Sequence, residues 1–178
     1  TTPYALPAGA SNQQLTIINH VDLLNRYQAF PSTGSGGVTG SSATVYAYAV
    51  DPVSGDIIIG GNFTQAGSTS GLNNIVRVNA SGTTVISSLN TGLSGGGGIV
   101  YTIYYDNSST RIYAGGSFTT IGGQTRNRIA SLDISSDVAT AWDPNANNTV
   151  YCLSLKDSLI YAGGNFKTIG TQSRNRIA

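Results

Sequence analysis

The chain has 178 residues, a formal net charge of +1, only 10% charged residues and 23 glycines. With 39% hydrophobic residues it is too apolar to be disordered, and it lacks the Ala, Glu, Lys and Leu bias of helical proteins. The near balance of charges excludes the basic stripe of a nucleic-acid-binding protein, and no apolar run reaches the roughly 18 residues of a membrane-spanning helix.

Residues 1–40 form a segment of their own. Gln14–Asn19 alternates and is β-branched, which predicts a strand. Val21–Phe30 has loosely helical spacing but is too short to predict a helix. Pro31–Gly40 has the composition of a flexible linker, so we place a domain boundary there and expect 1–40 to be an attachment segment.

Each of three repeats then opens with a Val-Tyr strand. These strands are Val45–Val50, Val100–Tyr105 and Val150–Leu155. Both of their alternating faces are largely apolar, which predicts strands that are buried on both sides.

A polar turn leads from each Val-Tyr strand to a second strand with two adjacent glycines and a Phe. Clean copies of Tyr-Ala-Gly-Gly-x-Phe run from Tyr113 to Phe118 and from Tyr161 to Phe166, 48 residues apart, and Ile59–Thr64 is a degenerate copy. Glycines weaken a strand, so we expect a bulge or the close approach of a neighbouring backbone at each pair. The Phe is expected to anchor the core between repeats.

Third and fourth strands complete each unit. Asn127–Asp133 and Asn74–Asn79 are predicted third strands, while Val138–Trp142 and Thr84–Leu89 are predicted fourth strands. Four strands in a period of about 50 residues indicate blades of a β-propeller. We therefore predict an all-β fold of about two and a half four-stranded antiparallel repeats, with boundaries at 41–98, 99–149 and 150–178.

These motifs resemble a known family. Gly-Gly-x-Phe-Thr, then Gly-Gly, then Arg-Asn-Arg-Ile-Ala-x-Leu-Asp is similar to the delta-60 type β-propeller repeat of bacterial, fungal-surface and viral proteins. The resemblance covers about residues 45–178, implies a propeller, and carries over no catalytic residue. The first repeat departs from it with Leu72–Arg77 in place of the Arg-Asn-Arg tail, and Thr171 replaces the second glycine of Gly122-Gly123.

Two and a half blades do not close a ring, because propellers have typically four to eight blades of about 50 residues each. We therefore expect the sequence to be part of a larger ring, with further blades of the same polypeptide or another chain completing it. A short open stack is the remaining alternative, and it would leave strand edges exposed.

The repeated residues are interpreted as structural positions. The tail arginines are expected to pair with turn carboxylates such as Asp133 and Asp143, or with backbone carbonyls between blades, although they could instead line an anion-binding face. Trp142 and the tyrosines could form a sugar-stacking platform, but the recurrence of the Val-Tyr tyrosines favours packing. The structural positions are Gly60, Gly61, Phe63, Gly115, Gly116, Phe118, Arg126, Asn127, Arg128, Trp142, Gly163, Gly164, Phe166, Arg174, Asn175 and Arg176.

No catalytic, cofactor or metal site is predicted. One cysteine and one histidine exclude an intrachain disulfide and a Cys/His metal cluster. Cys152 is expected to be a buried, inert thiol, and His20 a surface or packing residue. Asn107 and Asn147 lie in Asn-x-Ser/Thr sequons within predicted turns and are candidate glycosylation sites.

Three functions follow from this reading. The first is a non-catalytic module of a surface, secreted or virion appendage protein, which mediates assembly or adhesion and binds protein partners, further blades or a glycan receptor. The second is a fragment of a propeller enzyme that acts on polysaccharide. The third is an intracellular protein-interaction scaffold. The low charge and the polar, uncharged loops favour the first, with an extracellular, cell-surface or virion-surface location.

Overall fold

A computed structural model of the chain describes residues 38–39, 43–67, 69–82, 84–87, 89 and 98–178. These residues form seventeen β-strands and no helix. The strands, in chain order, are β1 (Val38–Thr39), β2 (Thr44–Val50), β3 (Ile57–Asn62), β4 (Gln65–Ala66), β5 (Thr69–Ser70), β6 (Ile75–Val78), β7 (Val85–Ser87), β8 (Val100–Asp106), β9 (Arg111–Gly116), β10 (Thr120–Ile121), β11 (Gln124–Thr125), β12 (Ile129–Asp133), β13 (Val138–Ala139), β14 (Val150–Lys156), β15 (Leu159–Gly164), β16 (Thr168–Ile169) and β17 (Gln172–Ser173).

The first and second blades are four-stranded antiparallel sheets. Their strand orders are β2-β3-β6-β7 and β8-β9-β12-β13. The third blade pairs β14 with β15, and the backbones of Ala162 and Ala178 exchange two hydrogen bonds of 2.8 and 3.0 Å along the next edge of β15. The all-β prediction and the blade architecture are therefore confirmed.

Each blade also carries a two-stranded ribbon in the loop between its second and third long strands. These ribbons are β4-β5, β10-β11 and β16-β17. In the second and third blades the ribbon turns through Gly122 and Gly170, whose φ angles of +58° and +59° lie in the left-handed region that favours glycine.

Three hydrophobic clusters hold the stack together. One lies between the first and second blades and includes Phe118, one lies between the second and third blades and includes Phe166, and one lies on the first blade around Phe63. All three phenylalanines are at most 1% exposed. Because burying an aromatic side chain contributes roughly 2–3 kcal/mol, these repeated anchors set the spacing of the blades.

Two expectations need correction. The predicted linker includes Val38–Thr39, which is a strand that pairs with β4, because the ribbon edge leaves backbone groups to be hydrogen-bonded. The strand predicted over Val138–Trp142 is only Val138–Ala139. The predicted N-terminal strand and the rest of 1–37 lie outside the described residues.

The Val-Tyr strands are not all buried on both sides, contrary to the prediction. In β8 the buried residues are Val100, Ile103 and Asp106, whereas in β14 only Val150 is buried. The reason is geometric. β8 packs against β2 on one side and β14 on the other, but β14 has a packed neighbour only on the β8 side among the described strands.

Candidate interaction surfaces

The first glycine of each pair in the first two blades lies against the next blade. A Cβ added to Gly60 would lie 2.6 Å from Cγ1 of Val100, and one added to Gly115 would lie 2.8 Å from Cγ1 of Val150. Real Cβ atoms do not approach so closely. The valine of the following blade's Val-Tyr strand therefore packs directly against each of these glycines.

The second glycine of each pair has a different reason to be glycine. A Cβ at Gly61, Gly116 or Gly164 would lie 2.1 Å from a backbone carbonyl oxygen at the start of the Val-Tyr strand of the same blade. That close approach coincides with a β-bulge in each blade, where the strand register shifts opposite the glycine pair. One glycine thus serves the blade itself and the other serves its neighbour.

In the first two blades, one face of the blade is covered by the following blade. In the third blade the equivalent face is exposed. A Cβ at Gly163 would contact only atoms of the same blade, the nearest being Sγ of Cys152 at 2.6 Å. Ile177 is 69% exposed, whereas Ile129 at the equivalent position of the second blade is 1% exposed. Tyr161 is also exposed, at 45%. We call Cys152, Tyr161, Gly163 and Ile177 the open blade face.

Cys152 is an exposed free thiol, so the expectation that it is buried is wrong. It lies at the repeat position of Ala47 and Thr102, both of which are half-buried. Their burial comes from the blade packed beside them, and no described residue covers Cys152 in the same way. The size of the residue therefore did not decide its environment.

A pocket of about 280 Å³ opens at the outer edge of the third blade and is lined by Trp142, Gly170, Arg174 and Ala178, among others. Gly122, the equivalent of Gly170 in the second blade, contacts β13. The amide of Ala139 donates to the carbonyl of Gly122 at 3.0 Å, which forms part of that contact. The pocket therefore corresponds to the seat of a blade's fourth strand.

The tail arginines occupy different settings in the two blades. Arg126 donates to the Thr140 carbonyl at 2.6 Å through Nη2, and its Nη1 lies 4.0 Å from the Asp143 carboxylate. Arg128 donates to the Phe118 carbonyl at 2.8 Å. In the third blade both equivalents, Arg174 and Arg176, are exposed. The contacts of the second blade lie within that blade rather than between blades.

The remaining predicted positions lie on loops. Asn127 donates to Oδ1 of Asn145 at 2.8 Å, while Asn175 is exposed. The ring of Trp142 meets Tyr113 edge-on at a centroid distance of 5.2 Å. Asn107 is exposed in a turn.

Asn147 is also exposed, but its side-chain oxygen accepts two backbone hydrogen bonds from Lys167 and Thr168, at 2.8 and 3.1 Å. Asp133, which was expected to pair with an arginine, accepts hydrogen bonds from the backbone and hydroxyl of Ser135 and Ser136 instead.

An ionic cluster between the first and second blades was not found from the sequence. Nη2 and Nε of Arg77 donate to Asp56 at 2.7 and 3.1 Å, and Nη1 donates to the Ile134 carbonyl of the second blade at 2.9 Å. Asp51 lies 3.8 Å from the same guanidinium. The cluster joins the β2–β3 turn, β6 and the next blade. Only the strand register brings these residues together, and no local motif signals it.

The charges of this cluster are coupled to Tyr105. Burial raises the pKa of Asp51, but hydrogen bonds from the backbone of Val53, from Ser54 and from the Tyr105 hydroxyl together bring it below its ordinary value of 3.8. Burial and the Asp51 carboxylate both raise the pKa of Tyr105 above its ordinary value of 10.0. At neutral pH the Asp51 carboxylate is therefore charged, as its ion pair with Arg77 requires, and the Tyr105 phenol is protonated.

Tyr46, Tyr101 and Tyr151 form a continuous row across the three blades, which we call the tyrosine row. Neighbouring ring centroids are 5.1 and 5.2 Å apart, with tilted and edge-on planes. Each tyrosine is the extra residue of the β-bulge in its Val-Tyr strand. The interpretation that these tyrosines pack holds only in the sense that they pack on one another.

Two segments of the chain match a known family, described as a domain of unknown function (DUF5122) beta-propeller. The matches cover residues 54–84 and 111–133, which lie in the first and second blades. The repeats are blades of a β-propeller. The comparison with curated proteins returned no match.

Two features are absent from the described part of the propeller. It contains no helix with the length and apolarity that a membrane crossing needs. Nor does any group of three or more His, Cys, Asp or Glu side chains in this part come close enough together to hold a metal ion.

Proposed function

We propose that this chain is a non-catalytic propeller module whose open blade face binds a further blade of the same repeat type, so that its role is assembly. The observation that carries this proposal is the difference between Gly115 and Gly163. A valine of the next blade lies against Gly115, whereas the described atoms nearest to the Cβ position of Gly163 all belong to its own blade.

The open blade face is apolar enough to favour such a partner. Ile177 and Tyr161 are the side chains that a neighbouring blade would cover, and Ile75 at the position of Ile177 in the first blade is fully buried. Burying the exposed part of Ile177 alone would contribute about 1–2 kcal/mol. The missing Cβ at Gly163 adds shape specificity, because it leaves room for a branched side chain such as the Val150 side chain that lies against Gly115.

We also propose that the repeats are of the delta-60 type. The delta-60 type repeat is supported by the Gly-Gly-x-Phe pairs and by the two Arg-Asn-Arg-Ile-Ala tails. Members of that repeat type occur in bacterial, fungal-surface and viral proteins, which supports an extracellular, cell-surface or virion-surface location. Detection of the protein by surface labelling of its source cells or particles tests the location.

A chain extended by one repeat tests the assembly role. Residues 131–178 are appended after Ala178, because Ala130 and Ala178 are equivalent and the appended copy then continues in register. The copy carries Thr in place of its cysteine, as at Thr102, so that Cys152 stays the only thiol. The reaction of Cys152 with a thiol reagent is then compared in the two chains.

We expect Cys152 in the extended chain to react at about one tenth of the rate in the parent chain, or more slowly still, because the new blade covers it. Ile177→Asp in the extended chain should restore fast labelling, since it places a carboxylate on the covered face. The matched control is Val53→Asp, at a 93% exposed turn residue of the first blade, which should leave Cys152 protected. Equal labelling rates in the parent and extended chains would refute the proposal.

A further inference from the structure

The three rings of the tyrosine row touch one another from blade to blade but are not part of the blade cores. None of them belongs to the hydrophobic clusters that hold the described blades together. Tyr46 and Tyr151 are 44% and 46% exposed, and Tyr101 between them is half-buried. A large, partly exposed side chain that recurs at one repeat position outside the cores is a candidate for binding as well as for contact between blades.

The β-bulges explain how the rings leave the blade faces. In a regular strand the side chain after the buried valine would point to one face of the sheet. The extra residue of a bulge is unpaired and is aimed away from that alternation, and bulges are over-represented at barrel rims and beside functional sites. Since the same bulge occurs in all three blades, the three rings come to one line instead of three separate cores.

The repeat position beside the row carries polar, uncharged residues. The side-chain amide of Asn165 donates to the Tyr151 hydroxyl at 3.1 Å. Asn62 and Ser117 occupy the same repeat position in the other two blades. Burial and the neighbouring hydroxyls of Tyr46 and Tyr151 raise the pKa of Tyr101 above its ordinary value of 10.0.

We propose that the tyrosine row is a binding site for a neutral saccharide chain. The sugar rings would stack on the exposed tyrosine rings, which supply rigid apolar area with a polar hydroxyl at the edge. The sugar hydroxyls would hydrogen-bond with the tyrosine hydroxyls and with the amide of Asn165. No residue of the row belongs to the open blade face, but a further blade packed there would bring its own Val-Tyr tyrosine against Tyr151, as Tyr151 lies against Tyr101.

Two other elongated ligands fit the row less well. Single-stranded nucleic acid also stacks on aromatic rows, but such sites lie in positively charged grooves, and this chain has only 9 Lys and Arg against 8 Asp and Glu. A polyproline helix presents equivalent positions once per turn of about 9 Å, whereas the rings are 5.1 and 5.2 Å apart. A chain of pyranose rings, each similar in size to a phenol ring, would stack on the faces that the tilted rings leave exposed.

The test is a calorimetric titration of the 178-residue chain with cellohexaose, maltohexaose and a proline decamer. We expect binding of at least one of the two neutral glucose hexamers and none of the decamer. Tyr151→Ala should weaken that binding about tenfold, because one stacked ring is lost. Tyr151→Phe should retain most of it, since the ring face remains.

The matched control is Val138→Ala, which removes an apolar side chain with nearly the same exposure, 45% against 46% for Tyr151, outside both the row and the open blade face. It should leave the affinity unchanged. Thermal unfolding of each variant shows whether the fold is intact, and Tyr46→Ala at the other end of the row provides a second variant. The proposal is overturned if neither hexamer binds, if only the decamer binds, or if Val138→Ala weakens binding as much as Tyr151→Ala.

Discussion

The second and third blades share the sequence Tyr-Ala-Gly-Gly-x-Phe and the tail Arg-Asn-Arg-Ile-Ala, yet their surroundings differ. The second blade packs against a neighbour on each side, so that Ile129 is buried and Gly115 lies under a valine. In the third blade the equivalent Ile177 and Gly163 are open. Near-identical sequence therefore gives near-identical strands but not the same burial, because burial belongs to the contact between repeats.

The largest expected effect concerns what the two blades share. Phe118→Ala and Phe166→Ala each remove a fully buried ring from an inter-blade core, and each should lower the free energy of unfolding by about 3–5 kcal/mol. Urea unfolding followed by circular dichroism measures both. If Phe166→Ala costs less than half of Phe118→Ala, the core of the third blade is less well formed than its geometry indicates.

The next effect should separate the blades. Gly115→Ala places a Cβ 2.7 Å from Thr102 and 2.8 Å from Val150, so we expect a loss of about 1–3 kcal/mol. Gly163→Ala meets only the Cys152 thiol, whose side chain can rotate, and should cost less than 1 kcal/mol. Urea midpoints compare the two variants. Equal losses would mean that the first glycine is required by its own blade and not by the neighbour.

A third prediction concerns the ionic cluster around Arg77, which among the described residues has no counterpart in the other blades. Arg77→Ala should cost about 2 kcal/mol, because Asp51 and Asp56 stay largely buried without their cation. Ser131 stands at the same position in the second blade, and its buried hydroxyl has no hydrogen-bond partner among the described residues. Ser131→Ala is therefore the control, with an expected change within about 0.5 kcal/mol. A larger loss for Ser131→Ala than for Arg77→Ala would contradict this account.

The smallest effect is a dependence on pH. Hydrogen bonds from Ser108 and Ser109 lower the pKa of Asp106, and those from Ser135 and Ser136 lower the pKa of Asp133. Because the folded pKa lies below the unfolded value of about 3.8, each carboxylate stabilises the fold above that pH, and the contribution disappears as the pH falls through the folded pKa.

Asp106→Asn should therefore be less sensitive to acid than the parent chain, in urea midpoints measured from pH 7 to pH 2. The third blade has Lys156 at this position, so it lacks this source of acid sensitivity. Lys156→Asp should introduce it, and an unchanged acid limb in both variants would show that the turn hydrogen bonds contribute nothing.

The strands of the blades could be predicted from the sequence because they depend on local signals. The alternation around Val100 and the glycine pair at Gly115 are visible in one short segment each. The ionic cluster around Arg77 could not be predicted, since Arg77 reaches Asp56 only through the pairing of β3 with β6. The exposure of Cys152 also could not be predicted, because it depends on a neighbouring blade and not on the strand that carries the residue.

The tyrosine row could be predicted from the sequence only in part. Its members recur in the sequence at the second position of each Val-Tyr strand, and that recurrence favours packing. Regular strand alternation would place each of them on one face of its blade. The bulge at Tyr46, Tyr101 and Tyr151 breaks the alternation, and the signal for the bulge was the second glycine of each pair, which lets the backbones approach.

The paired glycines have a consequence for how such a protein can change in length. Each repeat contains both halves of the same joint, a valine at its entrance and a glycine that receives the valine of the next repeat. A gene duplication of one whole unit of 48 residues, the distance from Tyr113 to Tyr161, therefore creates a joint that already fits, with no compensating mutation. A duplication of half a unit would separate the two halves, so whole-unit steps are the ones that leave a foldable chain.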